Sequence, residues 1–156
     1  MYILDANVFI LAHKHDFPID NNPGTFWDFI ERLGNQGEVR VPESVVEELS
    51  KKEDRVYKWV SDRKNILMIP TEHALPHLPR VLAAYGAFTQ NDLEVFDGKA
   101  DPFVIAEALA SVAIVVSDET RNPTETRIRY KKMPDICDLV GVSYLRYPRF
   151  LWELSS

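Results

Sequence analysis

The amino-acid sequence predicts an α/β fold, a parallel β-sheet sandwiched between helices, in one domain spanning residues 1–156. Three observations carry this expectation. Short apolar runs alternate with longer segments of helical periodicity along the whole chain. The run Ala-Ile-Val-Val-Ser at 113–117 is continuously apolar up to its last residue, as a strand buried on both faces requires. No internal repeat, low-complexity tract or linker-like stretch divides the chain.

The elements follow in order. Tyr2 to Leu4 is a short apolar strand, and Asp5-Ala6-Asn7 turns it into a helix through Val8, Phe9, Ile10 and Leu11. Residues 16–24, rich in Pro, Asn and Asp, are expected as loop. A helix follows over 25–37, with Thr25 as N-cap and Gly34 or Gly37 ending it. Its Phe26, Trp27, Phe29 and Ile30 read as a core-facing stripe. A second strand over 38–42 leads into a helical stretch over 43–64 that breaks near Lys52. Residues 65–70 form a third strand. Residues 72–86 are helical, with Pro76 and Pro79 in the first turns or at a kink. A loop over 89–98, a helix over 100–112 and the fourth strand at 113–117 come next. A last strand over 138–145 and a helix over 148–154 close the chain.

Composition narrows the function classes. With 46% hydrophobic residues, 156 residues can bury an ordinary core. No apolar run reaches the roughly 18 residues a membrane span requires, and the start of the chain lacks a basic, then apolar, cleavable leader, so a cytoplasmic protein without membrane association is expected. The single cysteine, Cys137, can form neither an internal disulfide nor a thiolate metal cluster and reads as a small buried hydrophobe. The net charge of −6 argues against a polyanion partner until its distribution is considered. Between Arg121 and Arg149, seven basic residues face Glu125, Asp135 and Asp138, a local net charge of +4 that leaves −10 on the rest. An acidic centre beside a basic flank suits a metal ion next to a polyanion, although a solvated charge run is the plainer reading of composition alone.

In parallel sheets ligands bind at the carboxyl ends of the strands. Asp5 ends the first strand there, and Asp118 and Glu119 end the fourth. On a helical wheel, Glu48 lies about 100° from the stripe of Val45, Val46, Leu49 and Val56, whereas Glu47 lies about 155° away and faces solvent. Asp101 falls within about 60° of the stripe formed by Ile105, Ala108, Leu109 and Val112. Each acid also has a structural reading: Asp5 and Asp101 as N-caps, Glu48 as a rim carboxylate, Asp118 or Glu119 as a turn cap. Gathered in one crevice without cations, however, carboxylates repel and hold protons, and a hard divalent ion is the economical reason to assemble them. Oxygen donors favour Mg²⁺ or Mn²⁺ over zinc. His73 and His77 are four apart, but no glutamate follows His73 and prolines disturb the helix, so surface or packing roles fit them, as they do His13 and His15.

The segments YILDANVFI, VPESVVEEL, KADPFVIAEALA, AIVVSDE and MPDICDLVGVSYL together resemble the PIN-domain ribonucleases, and within them a small subgroup catalogued as a domain of unknown function. The resemblance implies a PIN-like α/β/α sandwich with catalytic acids at Asp5, Glu48, Asp101 and Glu119, and Asn7 as the polar companion of the first. The pattern of a hydroxyl residue, one intervening residue and an acid puts Ser117 beside Glu119; Asp118, the intervening residue, stays open as the alternative metal ligand. It further implies a metal-dependent endoribonuclease, a hydrolase of RNA phosphodiester bonds, with Mg²⁺ or Mn²⁺ held by Asp5, Asp101 and Glu119 and oriented through Glu48. Members of the family are often toxins of type II toxin-antitoxin pairs, which implies a cognate antitoxin, and many form homodimers. Arg121, Arg127, Arg129, Lys131 and Lys132 are the RNA-binding candidates. Ser117 has no His or Lys in an activating arrangement and is a hydrogen bonder rather than a nucleophile. Phosphoryl transfer through Asp5, as in haloacid-dehalogenase-like proteins, requires a second aspartate where this chain has Asn7, and nucleotide binding lacks its glycine-rich loop. The alternative from another class is a catalytically idle PIN-like module that binds RNA or a partner.

Overall fold

The computed structural model describes residues 1–19 and 24–155, without the side chain of Thr25. Five strands, β1 (Tyr2–Leu4), β2 (Val39–Pro42), β3 (Met68–Ile69), β4 (Ile114–Ser117) and β5 (Tyr144–Arg146), form one sheet of order β3-β2-β1-β4-β5. Every neighbouring pair is parallel. Each crossover between parallel strands has to travel the length of the sheet, and helices make the return. Ile3 and Leu4, and likewise Val115 and Val116, are fully buried. Successive strand residues point to opposite faces, so both faces of the sheet are covered, as the α/β expectation requires.

The helices are α1 (Ala6–Leu11), continued by a π turn over Ala12–Asp16, then α2 (Gly24–Asn35), α3 (Glu43–Lys52), α4 (Asp54–Ser61) and α5 (Lys64–Leu67). Next come α6 (Leu78–Tyr85), α7 (Gln90–Glu94), α8 (Asp101–Ser111), α9 (Met133–Val140) and α10 (Tyr147–Leu154). The stripe on α2 is buried through Phe26, Trp27 and Ile30. Trp27 stacks on Phe9 at 6.2 Å, meets Trp59 edge-on at 4.9 Å, and donates its indole N–H to the Phe17 carbonyl at 2.7 Å. That aromatic cluster holds α1, α2 and α4 together and satisfies the polar atom it buries.

Several expectations change. The break near Lys52 is real: Glu53 leaves helical geometry at φ −152° and separates α3 from α4. The third strand shrinks to Met68–Ile69, because Lys64–Leu67 closes a helical turn against α2. The stretch expected as loop over 89–98 contains α7, nucleated by a capping box in which Thr89 and Asp92 satisfy each other's backbone N–H groups. The last strand is confined to Tyr144–Arg146; Asp138-Leu139-Val140 belongs to α9, which Pro134 opens and the left-handed Gly141 closes. Pro79 sits in the first turn of α6, and Thr71–His73 and Leu75–His77 are 3₁₀ turns. Part of the loop expected at 16–24, residues 20–23, and the cap expected of Thr25 lie outside the described residues and side chains. Among the described residues no helix is long and apolar enough to cross a membrane.

Candidate functional site

The chain leaves β1 for β2 on one side and later returns to place β4 on the other, so the strand order reverses between β1 and β4. Loops at the carboxyl ends of these two strands diverge and leave a crevice. Asp5 follows β1 at this point, its N–H donating to the Val116 carbonyl at 3.0 Å. It occupies the N-cap position of α1, yet its carboxylate makes no side-chain capping hydrogen bond. Instead Oδ2 accepts from the buried Ser117 Oγ at 3.2 Å. Asn7 completes the arrangement, donating Nδ2 to Ser117 Oγ at 3.1 Å and accepting the Asp118 N–H at 3.1 Å. Asn7 and Ser117 thus tie β1 to the end of β4 and orient Asp5.

Asp5, Glu48, Asp101 and Glu119 line one cavity of about 310 Å³ with Asn7, Lys52, Lys99 and the segment Arg129–Lys132. Glu48 approaches from α3, with Glu47 exposed beside it as the helical wheel predicts. Asp101 approaches from α8. Ala100 takes the N-cap position there and Asp101 is the first helical residue, so the capping role open to Asp101 in the sequence is not the one it fills. Glu119 lies two residues beyond β4, where its Oε2 accepts the Met133 N–H at 2.9 Å and pins the start of α9, while its carbonyl accepts the Tyr144 hydroxyl at 2.8 Å. The adjacent Asp118 does not line the cavity; it pairs with Arg146 at 3.1 Å.

Crowding of the acids shows in their proton affinities. Burial, followed by the charges of Asp101 and Glu48, pushes the Asp5 carboxyl well above the usual range. Burial and the neighbouring Glu119 and Glu48 raise Asp101 to about 6, with Lys99 and its backbone N–H opposing. Glu119 is raised by burial, against the Met133 N–H, Lys132 and Lys99. Glu48 Oε1 accepts from Lys52 Nζ at 2.6 Å, while its Oε2 is buried without a hydrogen-bond partner. Among the described residues no three His, Cys, Asp or Glu side chains form a ready-made ion cage. The donor chemistry nonetheless fits a hard divalent cation: all-oxygen ligands, with one buried carboxylate oxygen unused.

The basic candidates divide. Arg129, Lys131 and Lys132 line the cavity, with Lys131 Nζ donating to the Tyr85 carbonyl at 3.0 Å. Arg121 is engaged by Asp138 at 2.8 Å and Arg127 by Glu125 at 2.7 Å, and neither lines the cavity. His73 lies outside the acid cavity and pairs, at 2.5 Å, with Glu107, a fully buried glutamate on α8 that also accepts from Ser111 Oγ at 2.8 Å. Cys137 is buried, and burial pushes its thiol up to about 12, so it is inert. Sequence reasoning missed Lys52, Lys99 and Tyr130 in the cavity wall. It also missed Tyr85, whose buried hydroxyl has no partner and whose proton affinity is raised by burial and by the nearby charges of Asp101 and Glu119. Only Lys52 had a local signal, its i,i+4 spacing from Glu48.

A search of curated proteins finds no match to this chain. Among solved structures, a chain in the crystal structure of VapBC2 from Rickettsia felis, bound to a DNA fragment from their promoter, is similar with a TM-score of 0.47 and 17% identity, over 93% of this chain and 97% of that one. A family model spans residues 2–155, and on that match the chain belongs to the family described as "Domain of unknown function (DUF4411)".

Proposed function

We propose that this protein is a Mg²⁺- or Mn²⁺-dependent endoribonuclease working as a single PIN-like domain over residues 1–156. One observation carries the reading: Asp5, Glu48, Asp101 and Glu119, four acids distant in sequence, line the same cavity as Arg129, Lys131 and Lys132. A divalent ion supplies Lewis acidity toward a phosphate and a water at neutral pH, and relieves the repulsion among the acids. Asp5, Asp101 and Glu119 hold it, with Glu48 orienting the ion or its water. Ser117 and Asn7 keep Asp5 in place through their hydrogen bonds. The cationic rim holds the phosphates of a polyanion against the acidic floor, which the net charge alone would repel. The resemblance to PIN-domain toxins extends the reading to a cytoplasmic toxin with a cognate antitoxin and a homodimeric state.

The test is cleavage of a pooled cellular RNA by the purified protein in Mn²⁺ or Mg²⁺, with an EDTA control. Asp5→Asn and Asp101→Asn should each remove most activity while leaving the protein folded, since both keep side-chain volume. Binding of RNA without cleavage, under conditions in which an authentic PIN ribonuclease cuts, would reject the enzyme in favour of an idle RNA-binding module.

A further inference from the structure

The acid cavity contains a cation of its own. Lys52 Nζ lies 2.6 Å from Glu48 Oε1, and the Lys52 side chain lines the cavity together with Asp5 and Asp101. The other cationic side chains in the wall are placed differently: Lys131 donates to the Tyr85 carbonyl, and Lys99, Arg129 and Lys132 form no direct ion pair with the four acids among the described residues, Lys99 acting on Asp101 and Glu119, and Lys132 on Glu119, through their charge at longer range. Lys52 reaches an acid of the site directly. Glu48 is only 14% exposed, while the Lys52 side chain is 55% exposed, so the ammonium enters the cluster from the solvent side. The remaining Glu48 oxygen, Oε2, is buried and has no partner.

We propose that Lys52 is the built-in counter-ion of the acid cavity, and that a divalent ion binding there displaces its ammonium from Glu48. The inference rests on the reading of the cavity as a divalent-ion site. An ammonium on Glu48 lowers the negative potential that draws in a second cation, and like charges a few ångströms apart repel. Two features make displacement inexpensive. Lys52 is the last residue of α3, and the backbone leaves helical geometry at Glu53 before α4 begins at Asp54, so α3 does not continue alongside the lysine stem. The side chain is already more than half in solvent, so the ammonium regains hydration as it leaves. Lys52 is therefore a positioning residue, acting through Glu48: it lowers the repulsion of the apo cluster and makes divalent-ion binding a competition.

The experiment is a thermal-shift titration with MnCl₂, RNA absent, of the full chain and of Lys52→Gln and Lys52→Arg. Lys52→Gln should lower the Mn²⁺ concentration giving half-maximal stabilisation by about two- to fivefold, the upper part of the range for a partly screened ion pair. Lys52→Arg keeps the charge and should stay within about twofold of the parent protein. A midpoint unmoved or raised by Lys52→Gln, or lowered equally by Lys52→Arg, would overturn the inference while leaving the metal site intact. Absence of any Mn²⁺ stabilisation in the parent protein would overturn both. A second measurement needs no variant: acylation of the Lys52 amine, followed by mass spectrometry against the exposed Lys58, should speed up when Mn²⁺ is added, and slower or unchanged labelling would reject displacement.

Discussion

Asp101→Asn should stabilise the protein in the absence of divalent ions and destabilise it in their presence. The Asp101 carboxyl, raised from 3.8 to about 6 by burial and by the charges of Glu119 and Glu48, binds protons more readily in the folded than in the unfolded chain. Folding stability therefore falls as pH rises through this window and stays at its lower level above it. The interval corresponds to about 3 kcal/mol at neutral pH as an upper bound, because Asp5, Asp101 and Glu119 influence one another's charge and the shift belongs to the group rather than to Asp101 alone. Asparagine keeps the volume and removes the charge. At pH 7.5 in EDTA the variant should gain about 1–3 kcal/mol, or roughly 3–10 °C in Tm for a chain of this size. Near pH 4, where the parent carboxyl is largely protonated when folded, the gain should disappear. Addition of Mn²⁺ should then raise the Tm of the parent protein more than that of the variant. Differential scanning calorimetry across pH 4 to 8, with EDTA and with MnCl₂, measures all three effects. A lower Tm for the variant at pH 7.5 in EDTA, or a gain that persists unchanged to pH 4, would refute the argument that repulsion and desolvation govern Asp101.

The neighbouring acids should separate in the same assay: Glu119→Gln should reduce the Mn²⁺-induced rise in Tm far more than Asp118→Asn, since Glu119 lines the cavity while Asp118 pairs with Arg146. Equal losses would show that both ligate the ion. At the rim, Arg129→Ala should weaken binding of RNA to the Asp101→Asn protein and flatten the dependence of log affinity on log salt by about one. The same change at Arg127, engaged by Glu125 outside the cavity, should have the smaller effect. Far from the site, Val112 closes α8 in the left-handed region at φ 51° while 92% exposed. Val112→Gly should stabilise the protein by about 1 kcal/mol in urea unfolding, because a β-branched residue is strained there and little packing is lost.

What the sequence determined by itself was periodic or positional. Alternating apolar runs specified a parallel sheet, the continuous 113–117 run specified a central strand, and helical spacing separated Glu48 from Glu47, because each of these follows from geometry within a few residues. The resemblance named Asp5, Glu48, Asp101 and Glu119, and the wheel placed Asp101 toward the core. The tertiary structure decided what depends on distant partners. Asp138, Leu139 and Val140 became the end of helix α9 rather than the start of a strand because the helix is set by Pro134 near its start and a left-handed Gly141 at its end, while its middle, Ile136 and Cys137, packs into a core that local pattern does not describe. Asp118 left the cavity because Arg146, 28 residues later, stands beside β4 on β5 and pairs with it. Arg121 and Arg127 lie outside the cavity wall, paired instead with Asp138 and Glu125. Lys52, Lys99 and Tyr85 entered the surroundings of the acids only through the folded chain, since a charge's neighbours in space, not its neighbours in sequence, set its electrostatic role.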